Sequence, residues 1–250
     1  MNRDTVYSLP RTQVGDFAFD EAVADVFPDM IARSVPGYAS ILSMIEQLTV
    51  RFAQPQSNIY DLGCSLGAAT QLIRGQAPAS CTIYAVDNSA AMVDRLRKIV
   101  AHSENASRGS CAVEILEADI CSLPITRASF IVLNLTLQFI PAADRRSLLQ
   151  VAFDGLLPGG ALLLSEKICF EEAAQQTLLT ELHHDFKRAH GYSDLEIAQK
   201  RSAIENRLIP ETLNSHTDRL KSVGFSVVAP WFQCFNFVSM LAIKAEAAGA

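Results

Sequence analysis

The sequence predicts an α/β fold on a mostly parallel, seven-stranded sheet with one reversed strand and added helices. Three observations carry this expectation. Short apolar strands alternate with helices between residues 58 and 167, a glycine-rich loop directly follows the first strand, and the chain closes on what reads as a hairpin. Such alternation requires right-handed crossovers and therefore parallel neighbours. A closing hairpin turns one strand round, as mixed sheets permit.

Residues 1–36 are mixed, with Phe17, Phe19, Val23, Val26 and Phe27 as apolar anchors, and Pro36-Gly37 punctuates the chain. Ile41, Leu42, Met44, Ile45 and Leu48 then recur at helical spacing over 38–52. Strands are expected at 58–62, 82–87, 113–116, 130–134 and 161–167, and helices at 68–74, 90–100 and 143–156. Pro158-Gly159-Gly160 reads as the stop of the last of these helices. Residues 171–222 are mostly helical, more polar, and long for a single crossover, so part of them reads as an insertion. Residues 225–228 and 231–244 read as two late strands with Pro230 between them. The expected organisation is a helical segment, 1–54, covering a domain of residues 55–250.

With 250 residues and 49% hydrophobic side chains, the chain is long and apolar enough to bury a sizeable core. Its net charge of -6 disfavours direct binding of nucleic acid, which selects basic surfaces. Six cysteines form no CxxC pair and match no histidine spacing for zinc, as in a reduced compartment. Met1-Asn2-Arg3-Asp4-Thr5 has no apolar run behind it, and no apolar stretch reaches membrane-spanning length; the cytoplasm is the expected location.

The chemistry gathers at strand ends. In Asp61-Leu62-Gly63-Cys64-Ser65-Leu66-Gly67, glycines after a first strand let a ligand approach the backbone. Asp87 ends the second strand, where a carboxylate accepts ribose hydroxyls. It also suits an N-cap for the next helix. Asp119 follows the third strand, where an adenine amino group would lie, and Asn134 ends the fourth. Polar groups at successive carboxyl ends of parallel strands converge on one crevice. The loop lacks GxGxxG spacing, which argues against NAD.

The loop, Asp87, Asp119 and the closing hairpin resemble the Rossmann-like class I methyltransferases over residues 55–244. Ser65 stands where the usual loop has another glycine. Longer strings are more specific: Val26-Phe27-Pro28-Asp29-Met30-Ile31, Arg33-Ser34-Val35-Pro36-Gly37-Tyr38, Leu133-Asn134-Leu135-Thr136-Leu137-Gln138-Phe139, His183-His184-Asp185-Phe186-Lys187-Arg188-Ala189 and Trp231-Phe232-Gln233-Cys234-Phe235-Asn236-Phe237. With the loop, they are similar to the carboxy-S-adenosyl-L-methionine synthase family across nearly the whole chain.

The resemblance implies conversion of S-adenosyl-L-methionine and prephenate into carboxy-S-adenosyl-L-methionine and phenylpyruvate. The product would be used by a separate enzyme that installs 5-oxyacetic acid on the wobble uridine of tRNA. It implies a homodimer, for which Leu178, Leu179 and Leu182 offer apolar positions. It implies nucleotide contacts at Tyr38, Gly63, Cys64, Ser65, Asp87, Asn88, Asp119, Ile120, Asn134 and Arg201. A carboxymethyl group is anionic and matches the guanidinium fork of Arg201, whereas a methyl group needs no cation. No metal is expected: His183 and His184 are adjacent and point to different faces of a helix. No nucleophilic triad is evident. By the family's chemistry none is needed: prephenate releases carbon dioxide and hydroxide, and the deprotonated sulfonium methyl captures the carbon dioxide. An ordinary small-molecule methyltransferase and an inactive cofactor-binding module are the alternatives.

Overall fold

The computed structural model describes residues 2–104 and 111–247; Met1 and residues 248–250, the outer ends of the two expected segments, lie outside the described residues. Two helices, α1 (Glu21–Ser34) and α2 (Tyr38–Phe52), precede the sheet. Then come β1 (Asn58–Leu62), α3 (Ala68–Gln76), β2 (Thr82–Asp87), α4 (Ala90–Glu104), β3 (Ala112–Glu117), β4 (Ala128–Asn134), α5 (Ala142–Gly155) and β5 (Leu156–Lys167). Three helices follow, α6 (Ala173–Ala189), α7 (Asp194–Ile204) and α8 (Leu213–Ser222), before β6 (Val227–Cys234) and β7 (Phe237–Ile243).

The seven strands are ordered β3-β2-β1-β4-β5-β7-β6. Strands β1 to β5 pair in parallel, and β7 runs antiparallel to both β5 and β6, so β7 is the one reversed strand. Alternate side chains enter opposite cores, as strand geometry requires. Ile59, Ile83, Phe130 and Val132 pack with Ile41, Ile45 and Ile73 of α2 and α3. Tyr60, Leu62, Val86, Ile131 and Leu133 pack with Leu148, Leu149 and Leu220 of α5 and α8. No helix among the described residues is long and apolar enough to cross a membrane.

Two local expectations are corrected. Pro230 does not separate two strands: it lies inside β6, at a register shift, and the hairpin turns at Phe235-Asn236. A strand at the sheet's edge tolerates a residue without an N–H, particularly beside a bulge. Pro158-Gly159-Gly160 lies within β5 rather than ahead of it, where another register shift between Leu156 and Ala161 absorbs the irregular backbone. The mixed opening segment contains α1, capped by Asp20, whose side chain accepts the Val23 N–H at 2.9 Å. Pro28 lies inside this helix.

Candidate functional site

The strand order reverses between β1 and β4, and a crevice outside their carboxyl ends is the expected ligand site of such a sheet. The glycine loop lies there. The amides of Gly63 and Cys64 both donate to the Val86 carbonyl, at 2.8 and 3.0 Å, fastening the loop to β2. Gly63 adopts φ +77°, and a side chain on it would collide with Thr136. Ser65 also takes a left-handed backbone, φ 50°, a conformation that costs on the order of 1 kcal/mol or more outside glycine. Its amide donates to Asp87 Oδ2 at 2.8 Å. The Cys64 thiol is buried and pushed up by desolvation, so it remains protonated.

All ten residues implicated by the resemblance line one cavity of about 770 Å³. Asp87 is not the N-cap of α4. Ser89 takes that place, its Oγ accepting the Met92 N–H at 3.2 Å, while Asp87 Oδ1 accepts the Ser89 N–H at 2.9 Å. Burial raises the Asp87 carboxyl, against the lowering effect of the amides of Ser89, Ser65 and Asn88. Asp119 does cap a short 3-10 turn, Ile120–Ser122, and lines the cavity as well. Asn134 Oδ1 is buried without a hydrogen-bond donor among the described residues, an acceptor suited to a ligand N–H. Behind the loop, Asp61 is pushed up to about 6, chiefly by burial, and accepts Thr70 Oγ1 at 2.6 Å. Tyr38 lines the cavity, its phenol raised by desolvation and by Asp61.

The same wall carries a cluster of cations, and apart from Arg201 these residues had escaped the sequence reading. Lys167, the last residue of β5, meets Lys187 of α6 and Lys200 and Arg201 of α7 at the cavity wall. Desolvation lowers all three lysines, Lys187 to about 7 and Lys200 to about 8. Lys167 was open to detection by the strand-end rule that found Asp87 and Asn134. The helical lysines carried no such signal. Arg201 is exposed and also borders a neighbouring surface groove with His184, Arg188 and Glu205. His183 is committed to packing: its Nε2 donates to the Ser34 carbonyl at 2.8 Å, and burial pushes it down to about 2. No cluster of metal-ligating side chains occurs among the described residues.

The amino-terminal segment adds aromatic side chains to the cavity wall. Phe19 packs edge-on against Phe17 at 5.0 Å and Phe139 at 5.5 Å, and all three line the cavity. The segment is fastened to α7 through Gln199: its Oε1 accepts the Arg11 amide at 2.8 Å, and its Nε2 donates to the carbonyls of Tyr7 at 2.8 Å and Leu9 at 3.0 Å. The Phe17 amide adds a bond to the Ala203 carbonyl at 2.9 Å.

Beneath the cavity wall, fully buried Glu166 accepts the Leu137 N–H at 2.9 Å through Oε1, while Oε2 has no partner among the described residues. Burial pushes this carboxyl up to about 8, outweighing the amides of Gln138 and Leu137 and the charge of Arg145. The folded chain therefore holds a proton here that the unfolded chain releases from about 4.5 upward. Glu166 thus favours folding most below that pH, and the benefit is lost as pH rises through about 8. Glu166→Gln keeps the acceptor and removes the titration. Relative to wild type it should gain on the order of a few kcal/mol of stability between pH 5 and 8. Parallel urea midpoints for the two proteins at pH 5, 6.5 and 8 would show that Glu166 carries no such proton.

A methyltransferase-domain family model matches residues 59–160. The carboxy-S-adenosyl-L-methionine synthase of Aliivibrio fischeri strain MJ11 is 56% identical over 244 residues, 97% of this chain and 99% of that protein. The synthase of Erwinia tasmaniensis is 55% identical over 245 residues, 98% of each chain. Among solved structures, a putative S-adenosyl-L-methionine-dependent methyltransferase of Methanococcus maripaludis superposes with a TM-score of 0.61 at 18% identity, covering 96% of this chain and 100% of that one. Human N-acetylserotonin methyltransferase in complex with SAM gives 0.60 at 18% identity, covering 90% and 55%. These structural likenesses show the class I methyltransferase fold.

Proposed function

The chain belongs to the carboxy-S-adenosyl-L-methionine synthases, and on that premise we propose that it converts S-adenosyl-L-methionine and prephenate into carboxy-S-adenosyl-L-methionine and phenylpyruvate. The observation that carries this reading is the make-up of one cavity wall, which joins strand-end carboxylates and the glycine loop to five lysine and arginine side chains. Tyr38, Gly63, Cys64, Ser65, Asp87, Asn88, Asp119, Ile120 and Asn134 hold the nucleoside, and Arg201 receives the new carboxylate. Asn134 Oδ1 and the outward lone pairs of Asp87 supply acceptors for its amino and hydroxyl groups. The reaction balances without an outside reagent. Prephenate gives phenylpyruvate, carbon dioxide and hydroxide. The hydroxide takes a proton from the sulfonium methyl to form water, and the methyl carbon bonds to the carbon dioxide. The protein supplies position, exclusion of water and charge placement.

Residues 1–54 act as the cover and 171–222 as the insertion, a division supported by Phe17, Phe19, Lys187 and Lys200 on the shared wall. A homodimer is supported by Leu178, which α6 leaves 55% exposed. Light scattering that finds only monomer at micromolar concentration would count against it. Six free cysteines fit a cytoplasmic setting. The product serves a separate tRNA-modifying enzyme, and this chain binds no nucleic acid itself. Incubating the isolated chain with both substrates should yield a nucleoside heavier by one carbon dioxide. Formation of S-adenosylhomocysteine would instead mark an ordinary methyltransferase, and absence of turnover a binding module.

A further inference from the structure

The cavity wall carries five cationic side chains, Lys167, Lys187, Lys200, Arg201 and Arg207, against two carboxylates, Asp87 and Asp119. The carboxylates sit at the strand ends beside the glycine loop. The cations come from the end of β5 and from the helices beyond it. Lys200 has a partner, donating to Ser34 Oγ at 3.1 Å, and its ammonium lies 5.7 Å from the Tyr192 ring centre. Lys167 and Lys187 differ. Both are half-buried, and neither ammonium has a hydrogen bond or ion pair among the described residues. Each is instead near other positive groups: Arg201 acts on Lys167, and Lys200 and Lys167 act on Lys187. Gathering unmatched ammonium groups costs free energy, which a bound anion returns.

The nucleoside brings a single carboxylate, which cannot match all of these cations. S-adenosyl-L-methionine carries a sulfonium, an ammonium and one carboxylate, and is itself a net cation. The second substrate is a dicarboxylate. Its two carboxylates have different fates: the ring carboxylate leaves as carbon dioxide, and the pyruvyl carboxylate survives in the product. An ion pair to the leaving carboxylate would hold back its loss, because it stabilises the charge that must disappear. A pair to the surviving carboxylate carries no such penalty.

We propose that Lys167 and Lys187 form the subsite for the surviving pyruvyl carboxylate of the dicarboxylic donor. The proposal rests on the synthase reading and names the residues that hold its second substrate.

The probes are prephenate, its product phenylpyruvate, and S-adenosylhomocysteine, which has no methyl group to react. Lys167→Met and Lys187→Met should each raise the KM for prephenate about tenfold or more. The same factor should appear in the calorimetric Kd of phenylpyruvate on protein saturated with S-adenosylhomocysteine, because phenylpyruvate keeps the carboxylate in question. The Kd of S-adenosylhomocysteine should stay within about twofold, which also reports an intact fold, and Lys187→Arg should recover most of the loss. Unchanged values for prephenate and phenylpyruvate overturn the subsite. A parallel loss of S-adenosylhomocysteine overturns it too, assigning the lysines to the nucleoside or the fold. If wild type binds phenylpyruvate in a lysine-dependent way yet does not convert prephenate, the synthase reading fails and the subsite stands. If wild type neither binds nor converts these acids, both fall.

Discussion

Arg201→Ala is expected to weaken carboxy-S-adenosyl-L-methionine roughly 30-fold more than S-adenosyl-L-methionine or S-adenosylhomocysteine, a difference of about 2 kcal/mol. The guanidinium projects from α7 into the cavity wall and has no hydrogen bond or ion pair among the described residues, so its fork is available to a carboxylate. Its exposure sets the magnitude. Truncating one partner of a dry ion pair costs up to about 5 kcal/mol, but water reaches this side chain and holds the loss near the lower end. Arg201→Lys should restore part of the difference, keeping the charge and losing the two-pronged geometry. All three ligands belong in one competition assay on wild type and variants. An equal loss for all three would mean that Arg201 supports the fold or the shared adenosine.

Asp87→Ala should behave in the opposite way, weakening all three nucleosides alike by about 1.5–3 kcal/mol, or roughly 10- to 150-fold. Both oxygens of Asp87 already accept a backbone amide, from Ser65 and from Ser89, and each retains a further lone pair for a ribose hydroxyl. Alanine therefore also releases the Ser65 amide, and part of the loss arises from a loosened loop. Asp87→Asn keeps an acceptor for that amide and should lose less. Titration calorimetry showing unchanged affinity for Asp87→Ala would remove this residue from the site.

The sheet was legible because its strands are short apolar runs separated by turn residues, from Asn58–Leu62 to the final hairpin. Where reading failed, one residue type had outweighed its setting. Pro230 suggests a break in any central strand, but at the edge it costs no ladder bond that another strand needs. The strand-end part of the cavity wall was legible because parallel topology sends Asp87, Asp119 and Asn134 to one edge whatever the helices do. The cationic part of the wall depends on how α6 and α7 pack, and spacing within a single helix does not disclose where Lys187 and Lys200 meet.

The hydrogen bonds from Gln199 to residues 7–11 have a practical consequence. Gln199, Lys200 and Arg201 are consecutive, so the register of the chain's first residues is coupled mechanically to two cations of the cavity wall. A tag, a protease cut or a trimmed start that reaches Tyr7 is then an active-site perturbation delivered from a distance. The coupling also makes the amides of Arg11 and Phe17 remote reporters. Their deuterium uptake should slow when an anionic ligand engages Arg201, although neither amide touches it.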